Sequence, residues 1–266
     1  MEYVRWLPKK VMSRWVGHAT RSRVPVLAEA ARDWFVKRYQ INMAEAEKPL
    51  SEYPTISELF TRRLKAGVRP IGQGTVHPCD GVLTQAGPVE SGQIVQTKGI
   101  TYSVDELLKD ANASQTFAEG FFCTYYLCPT DYHRVHSPVE GVVESVRHVP
   151  GQLWPVNPWS VENISQLFAI NERVIFNIKT SFGPVALVMV GATNVGEISV
   201  SFDDSVRTNR PDRNQITVRD YSPAVAISKG QELGIFHMGS SVVVVYPKGH
   251  LVAAPQKGPV KMGGSL

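Results

Sequence analysis

Beyond residue 80 the apolar positions come in short blocks rather than in long helical stripes. Strand-like runs fall at 82–86, 93–98, 121–127, 141–148, 174–178, 185–190, 197–202, 224–228, 232–236 and 241–246. Eighteen prolines and twenty-one glycines punctuate the chain heavily, which suits many short strands better than long helices. The first seventy residues read differently. Pro25 suits a first helical turn, and Val26, Leu27, Ala30, Ala31, Trp34 and Phe35 recur at helical spacing. Thr55-x-x-Glu58 is a capping box that opens a short helix through Leu59, Phe60 and Leu64, and Ser103-x-x-Glu106 opens another inside the strand-rich part. The polar stretch 207–219 reads as a surface loop. The pattern predicts an α+β protein: an amphipathic helical N-terminal region, 1–70, and a β-rich region of short, mostly antiparallel strands, 71–266.

A short echo links two of these strands. His77-Pro78-Cys79-Asp80-Gly81-Val82 and Ser137-Pro138-Val139-Glu140-Gly141-Val142 are each a Pro turn, an acid, a Gly and a strand. Two such matches hint at two similar β-halves without establishing a repeat.

Composition adds little to this until charge is mapped. With 43% hydrophobic and 20% charged residues the chain reads as soluble and globular. Its net charge of +4 is concentrated at one end: residues 1–39 carry nine Lys/Arg against three acids, so the remainder is slightly acidic. The same stretch holds Trp6, Trp15 and Trp34, and no run reaches the ~20 apolar residues that span a bilayer. Basic residues interleaved with tryptophan describe a segment lying on an anionic membrane. A basic arm packed on its own domain, or an RNA-binding arm, is the plainer alternative. Three cysteines without Cys-x-x-Cys spacing point to a reducing compartment and to neither disulfides nor a zinc knuckle.

The candidate chemistry lies in three places. Asp80 precedes a Gly and is by itself an ordinary turn residue. Asp131-Tyr132-His133-Arg134-Val135-His136 is dense for a loop, although each histidine could be structural, and a metal site there would lack a third ligand. The corner Met238-Gly239-Ser240-Ser241 leads into Val242–Val245 and on its own reads as a turn before a buried strand. Asp, His and Ser together suggest an activated hydroxyl, but Ser240 lacks the G-x-S-x-G elbow of the α/β-hydrolases. Gly239 leaves its own carbonyl open to attack by that hydroxyl.

These residues resemble the proenzymes of phosphatidylserine decarboxylase, a pyruvoyl-dependent, membrane-associated family. The resemblance runs from the N-terminal helices to about Pro247 and weakens beyond it. It is carried by the Phe60 to Pro70 stretch, Pro78-Cys79-Asp80-Gly81, Val149-Pro150-Gly151, Asn171-Glu172-Arg173-Val174, Val190-Gly191-Ala192-Thr193 and Lys229-Gly230-Gln231-Glu232. The run from Asp131 to His136 is the most specific signature. Met238-Gly239-Ser240-Ser241 stands where Leu-Gly-Ser-Thr is most common, with the Gly-Ser bond retained.

The resemblance implies self-cleavage between Gly239 and Ser240, giving a β chain 1–239 and an α chain 240–266. Ser240 would attack the Gly239 carbonyl to form an ester; loss of its α-proton would expel the Gly239 carboxylate and leave dehydroalanine, whose tautomer would hydrolyse to a covalent pyruvoyl group with release of ammonia. No metal and no separate cofactor is then needed. The pyruvoyl ketone would form a Schiff base with phosphatidylserine and serve as electron sink for loss of carbon dioxide, leaving phosphatidylethanolamine. In this scheme His136 is the general base, oriented by Asp80 and by Asp131, and His133 positions substrate and delivers a proton. The expected setting is a peripheral protein on the cytoplasmic face of the cell membrane, with no nucleic-acid partner and a homodimer left open. Leu153-Trp154-Pro155 and Trp159 form an aromatic loop that either packs in the core or touches acyl chains. Two rival readings remain: a Ser-His-Asp hydrolase, and a membrane-binding module without catalysis. A pyruvoyl enzyme acting on a soluble amino acid is a further variant.

Overall fold

The computed structural model describes residues 20, 25–193, 197–210, 214–237, 240–251 and 253–266. Trp6, Trp15 and the basic residues from Arg5 to Arg23 lie outside these, as do Met238 and Gly239. In chain order the elements are α1 (Pro25–Tyr39), α2 (Ile56–Phe60), β1 (Gly81–Pro88), β2 (Gln93–Thr97), β3 (Ile100–Ser103), α3 (Val104–Leu108), α4 (Ala113–Thr116), β4 (Phe121–Leu127), β5 (Arg134–His136) and β6 (Gly141–Val149). They continue with α5 (Pro158–Asn163), α6 (Leu167–Ile170), β7 (Arg173–Thr180), β8 (Gly183–Gly191), β9 (Ile198–Val200), β10 (Thr217–Ile227), β11 (Glu232–Phe236), β12 (Ser240–Tyr246) and β13 (Gly258–Val260). The fold is α+β with a core of short antiparallel strands, as the pattern predicts.

Among the described residues the main sheet has eight strands in the order β10-β6-β7-β8-β12-β4-β1-β13. Val242, Val243, Val244 and Val245 of β12 are all fully buried, so both faces of this central strand are covered. That is why it reads as a continuous apolar run rather than an alternating one. A second sheet, β5-β11-β9, carries the histidine cluster, and β2-β3 form a separate hairpin.

The sequence echo has a structural counterpart. β1 and β6 each start at the glycine of the echo and lie second from opposite edges of the sheet. Each shifts register at the same point, between Leu83 and Gln85 and between Val143 and Ser145. The two Pro turns also bond to each other: His136 N donates to the Pro78 carbonyl at 2.8 Å and Val76 N to the Pro138 carbonyl at 3.1 Å. This contact brings diagonally opposite corners of the sheet together and places β5 over the start of β1.

Both capping serine/threonine residues act as expected. Thr55 Oγ1 accepts from Glu58 N at 3.1 Å, and Ser103 Oγ accepts from Asp105 N at 3.1 Å. The first helix stops at Phe60, short of Leu64, which instead bridges to Ala46. In α1 the expected apolar stripe is broken: Phe35 is buried, but Trp34 is 59% exposed, and Arg32 is buried with Nη1 donating to the Tyr53 carbonyl at 3.0 Å. The stretch read as a surface loop is partly strand, because β10 begins at Thr217 and pairs with His148. Of the aromatic loop, Trp154 is buried and Trp159 is 36% exposed. Among the described residues no helix is long and apolar enough to cross a membrane.

Arg173 shows how an internal cation stabilises this fold. Its guanidinium donates to the carbonyls of Glu106 and Leu107 in α3, and to those of Ala169 and Asn171 at the end of α6. Carbonyls near helix C-termini lack intrahelical partners, and one buried arginine satisfies two such ends. Burial lowers its pKa to about 10.

Candidate active site

The first residue of β12, Ser240, is paired in register with Leu127 of β4 on one side and Gly191 of β8 on the other. The scissile serine of the expected scheme thus opens the central strand, at the edge of the best-packed part of the molecule. Gly191 is held from behind, because its N–H donates to the Glu172 carbonyl at 2.8 Å and its carbonyl accepts from Asn171 Nδ2 at 2.9 Å. The same Asn171 side chain pins both backbone groups of Trp154. The Asn-Glu-Arg stretch therefore sets the strand end that faces Ser240.

On the other flank, Gly81 lets β1 approach β4. It has φ +148°, and a Cβ there would sit 2.4 Å from the Tyr126 carbonyl oxygen. Only glycine tolerates both the conformation and the contact. Asp80 is thereby brought beside the residue pair that borders Ser240.

Asp80 is fully buried and strongly anchored. Its carboxylate accepts from Arg69 Nε at 3.0 Å and Nη2 at 2.6 Å, from Met262 N at 2.9 Å and from Lys261 Nζ at 3.1 Å. Burial alone would raise its pKa, but these donors outweigh it and hold the carboxyl below its ordinary range.

Asp131 turns back on its own loop, where Oδ2 accepts from Cys128 N at 2.8 Å. Burial pushes its pKa up, and the nearby Asp80 charge adds to that. Arg62 braces the same turn, with Nη2 donating to the Thr130 carbonyl at 3.1 Å and, more weakly, to the Asp131 carbonyl at 3.4 Å.

The two histidines have separate surroundings. His133 is fully buried; its Nδ1 lies 2.9 Å from the Asp131 carbonyl, which fixes Nδ1–H as the donor and leaves a lone pair on Nε2. Nε2 is buried and has no hydrogen-bond partner among the described residues. Its ring packs at 3.9 Å, centroid to centroid, on Phe60. Burial lowers the His133 pKa to about 3, so this ring is neutral at rest. His136 is also held neutral by burial. Its Nδ1 donates to the Gly230 carbonyl at 2.8 Å, and Nε2 lies 3.1 Å from the Tyr132 hydroxyl.

The geometry differs from the sequence expectation in three respects. Asp80 makes no hydrogen bond to His136, because its oxygens are taken by Arg69, Lys261 and Met262. Its influence is through space, where its negative charge favours the protonated form of both histidines. Asp131 orients a histidine, but through its backbone carbonyl and at His133 rather than His136. The chain beyond Pro247, where the resemblance weakens, supplies two of Asp80's partners. Arg69, Arg62 and Tyr132 all lay within the quoted motifs, yet nothing in their spacing marked them as contacts. Among the described residues no group of three His, Cys, Asp or Glu is placed to hold a metal ion.

Comparison with known proteins gives a consistent answer. A profile of the phosphatidylserine decarboxylase family matches residues 56–266, and a second profile, described as PSD, matches residues 4–40. Phosphatidylserine decarboxylase proenzyme from Myxococcus xanthus is 42% identical over 251 residues, covering 92% of this chain and 88% of the relative. The proenzyme of Anaeromyxobacter sp. is 43% identical, covering 99% and 95%, and that of Vibrio cholerae is 42% identical, covering 91% and 88%. The family match and the relatives define a pyruvoyl-dependent lyase made as a self-cleaving proenzyme. The chain belongs to the phosphatidylserine decarboxylase family.

Proposed function

We propose that Ser240 is the residue this decarboxylase converts to its pyruvoyl group, with His136 as the base for self-cleavage and His133 as the group that meets the substrate. The reaction is decarboxylation of phosphatidylserine to phosphatidylethanolamine. The observation that carries the site assignment is the register of Ser240 between Leu127 and Gly191, at the strand ends beside which Asp80 and the histidine loop converge.

In the precursor, the Ser240 hydroxyl must lose a proton to attack the Gly239 carbonyl. His136 Nε2 can take it once the Tyr132 hydroxyl turns away, and Asp80 stabilises the imidazolium formed. The fully buried valines of β12 keep residue 240 in place after the backbone is cut. The pyruvoyl carbonyl supplies the electron sink for decarboxylation. The residues present suit such a group, since His133 Nε2 is buried and has no hydrogen-bond partner among the described residues, which leaves an acceptor free for the substrate. Held neutral, His133 can take at Nε2 a proton that the substrate's ammonium group gives up as its nitrogen bonds to the pyruvoyl carbon, and can return it to the α-carbon once carbon dioxide has left. Asp131 fixes its tautomer, and Arg62 holds the turn that presents it.

The exposed Trp34, with Lys37 and Arg38 in the last turn of α1, supports peripheral binding of the 1–70 region to anionic lipid, on the cytoplasmic face in this reading. Residues 71–266 then carry the reacting groups, braced by Phe60, Arg62 and Arg69 of the preceding region. Homodimerisation is a separate proposal that light scattering in detergent decides.

The test is release of carbon dioxide from phosphatidylserine in mixed micelles, before and after treatment with borohydride. Activity that borohydride abolishes supports the assignment. Activity that survives both borohydride and Ser240→Ala contradicts it, and intact chain labelled by a serine-directed inhibitor would favour the hydrolase reading.

A further inference from the structure

Asp80 sits in a cluster of four charges. Arg69 Nη2 lies 2.6 Å from Asp80 Oδ2 and also 2.6 Å from Glu45 Oε2, so its single positive charge is divided between two carboxylates. Lys261 Nζ, 3.1 Å from Asp80 Oδ2, is the second cation, and with it the cluster is neutral overall. Without it, a fully buried carboxylate would share one guanidinium with Glu45, which is unfavourable in a low-dielectric setting.

Lys261 reaches this place because the C-terminal segment is zipped onto the chain that precedes Asp80. β13 pairs with β1 through Gly81↔Val260, Val82↔Pro259 and Leu83↔Gly258. His77 N donates to the Gly264 carbonyl, Gly263 N to the His77 carbonyl, and Leu266 N to the Thr75 carbonyl, at 2.8, 3.0 and 2.8 Å. In the sheet, β12 lies against β4 and β13 against β1. The segment 240–266 therefore brackets the β1–β4 pair at one end of the sheet, with Ser240 opposite Leu127 on one flank and Lys261, next to the Val260 that faces Gly81, beside Asp80 on the other.

We infer that Lys261 is a positioning residue for self-cleavage, acting through Asp80, and that the end of the future α chain is part of the reaction centre. The inference rests on the proposed role of Asp80 in supporting the histidine base. After cleavage the 27 residues from Ser240 onward stay attached at both ends, and the smaller chain contributes both the reactive residue and a cation that holds Asp80.

The test uses the full-length chain, freshly synthesised, with the rate of cleavage followed by intact mass. Lys261→Met is expected to slow cleavage about tenfold, and Lys261→Arg to remain within about twofold of wild type. Melting temperatures are recorded for both, and Asp80→Asn is run in parallel. If Asp80→Asn is slow while Lys261→Met cleaves at the wild-type rate, the role given to Lys261 is overturned and that of Asp80 stands. If Asp80→Asn cleaves normally, the underlying reading of Asp80 fails. Equal slowing by Met and Arg would show that the side chain only packs, and would also overturn the inference.

Discussion

The Phe236 N–H donates to the carbonyl of His133 at 3.0 Å, which ties the strand running toward the Gly239–Ser240 bond to the residue with the unpaired imidazole nitrogen. A side-chain change at His133 leaves this backbone bond intact. His133→Ala is therefore expected to self-cleave, yet to lose about a hundredfold or more in turnover of phosphatidylserine. Separate assays of chain mass and carbon dioxide release check it. Loss of cleavage in the same proportion as turnover would place His133 in processing instead.

His136 and Tyr132 give a contrasting pair. His136→Ala removes the proposed base and should leave mostly uncleaved chain. Tyr132→Phe removes the hydroxyl that occupies Nε2 and should cleave no more slowly than wild type. A tenfold slower Tyr132→Phe would mean that the phenol relays the proton.

The buried histidines also set the response to acid. His133 has its pKa lowered from 6.5 to about 3, so it stays neutral in the fold but charges on unfolding below about pH 6.5. The unfolded chain then binds more protons, and stability falls as pH drops from 6.5 toward 3. His136 and Asp80, both held low, act in the same direction, while Asp131, pushed up, opposes them in the carboxylate range. His133→Asn should reduce the stability lost between pH 7.5 and pH 5 by about 2 kcal/mol in denaturant unfolding. An unchanged loss would contradict the burial of a neutral ring.

Gly81→Ala probes how Asp80 is placed. The added Cβ meets the Tyr126 carbonyl at 2.4 Å in a conformation with φ +148°. A cost of roughly 2–3 kcal/mol is expected, together with slowed cleavage, because the start of β1 must shift away from the Tyr126 carbonyl at the end of β4. Thermal unfolding and intact mass measure the two effects.

Much of this was legible in the sequence, and for physical reasons. Val242–Val245 and the other apolar blocks announce their burial by composition, and Thr55 and Ser103 announce helix starts by local hydrogen-bond chemistry. Asp80, His133, His136 and Ser240 could be picked out because a recognisable family carries them in motifs. What the sequence did not show is which groups meet. Lys261 and Asp80 are 181 positions apart, and no periodicity encodes that pairing. The orientation of His136 failed for the same reason: Asp80's carboxylate was already claimed by Arg69 and by the C-terminal segment. Trp34, placed on an apolar stripe by spacing, is exposed because α1 packs on a small satellite core of Phe35, Ile41, Tyr53, Leu59 and Phe60 that leaves its face uncovered.

The most direct test is the intact mass of the purified protein and of its Ser240→Ala variant. Wild type should give two chains, 1–239 and 240–266, the smaller with a blocked N-terminus that gains mass on borohydride reduction, while Ser240→Ala stays a single chain. One uncleaved wild-type mass, once processing has had time to finish, would contradict the account at its centre.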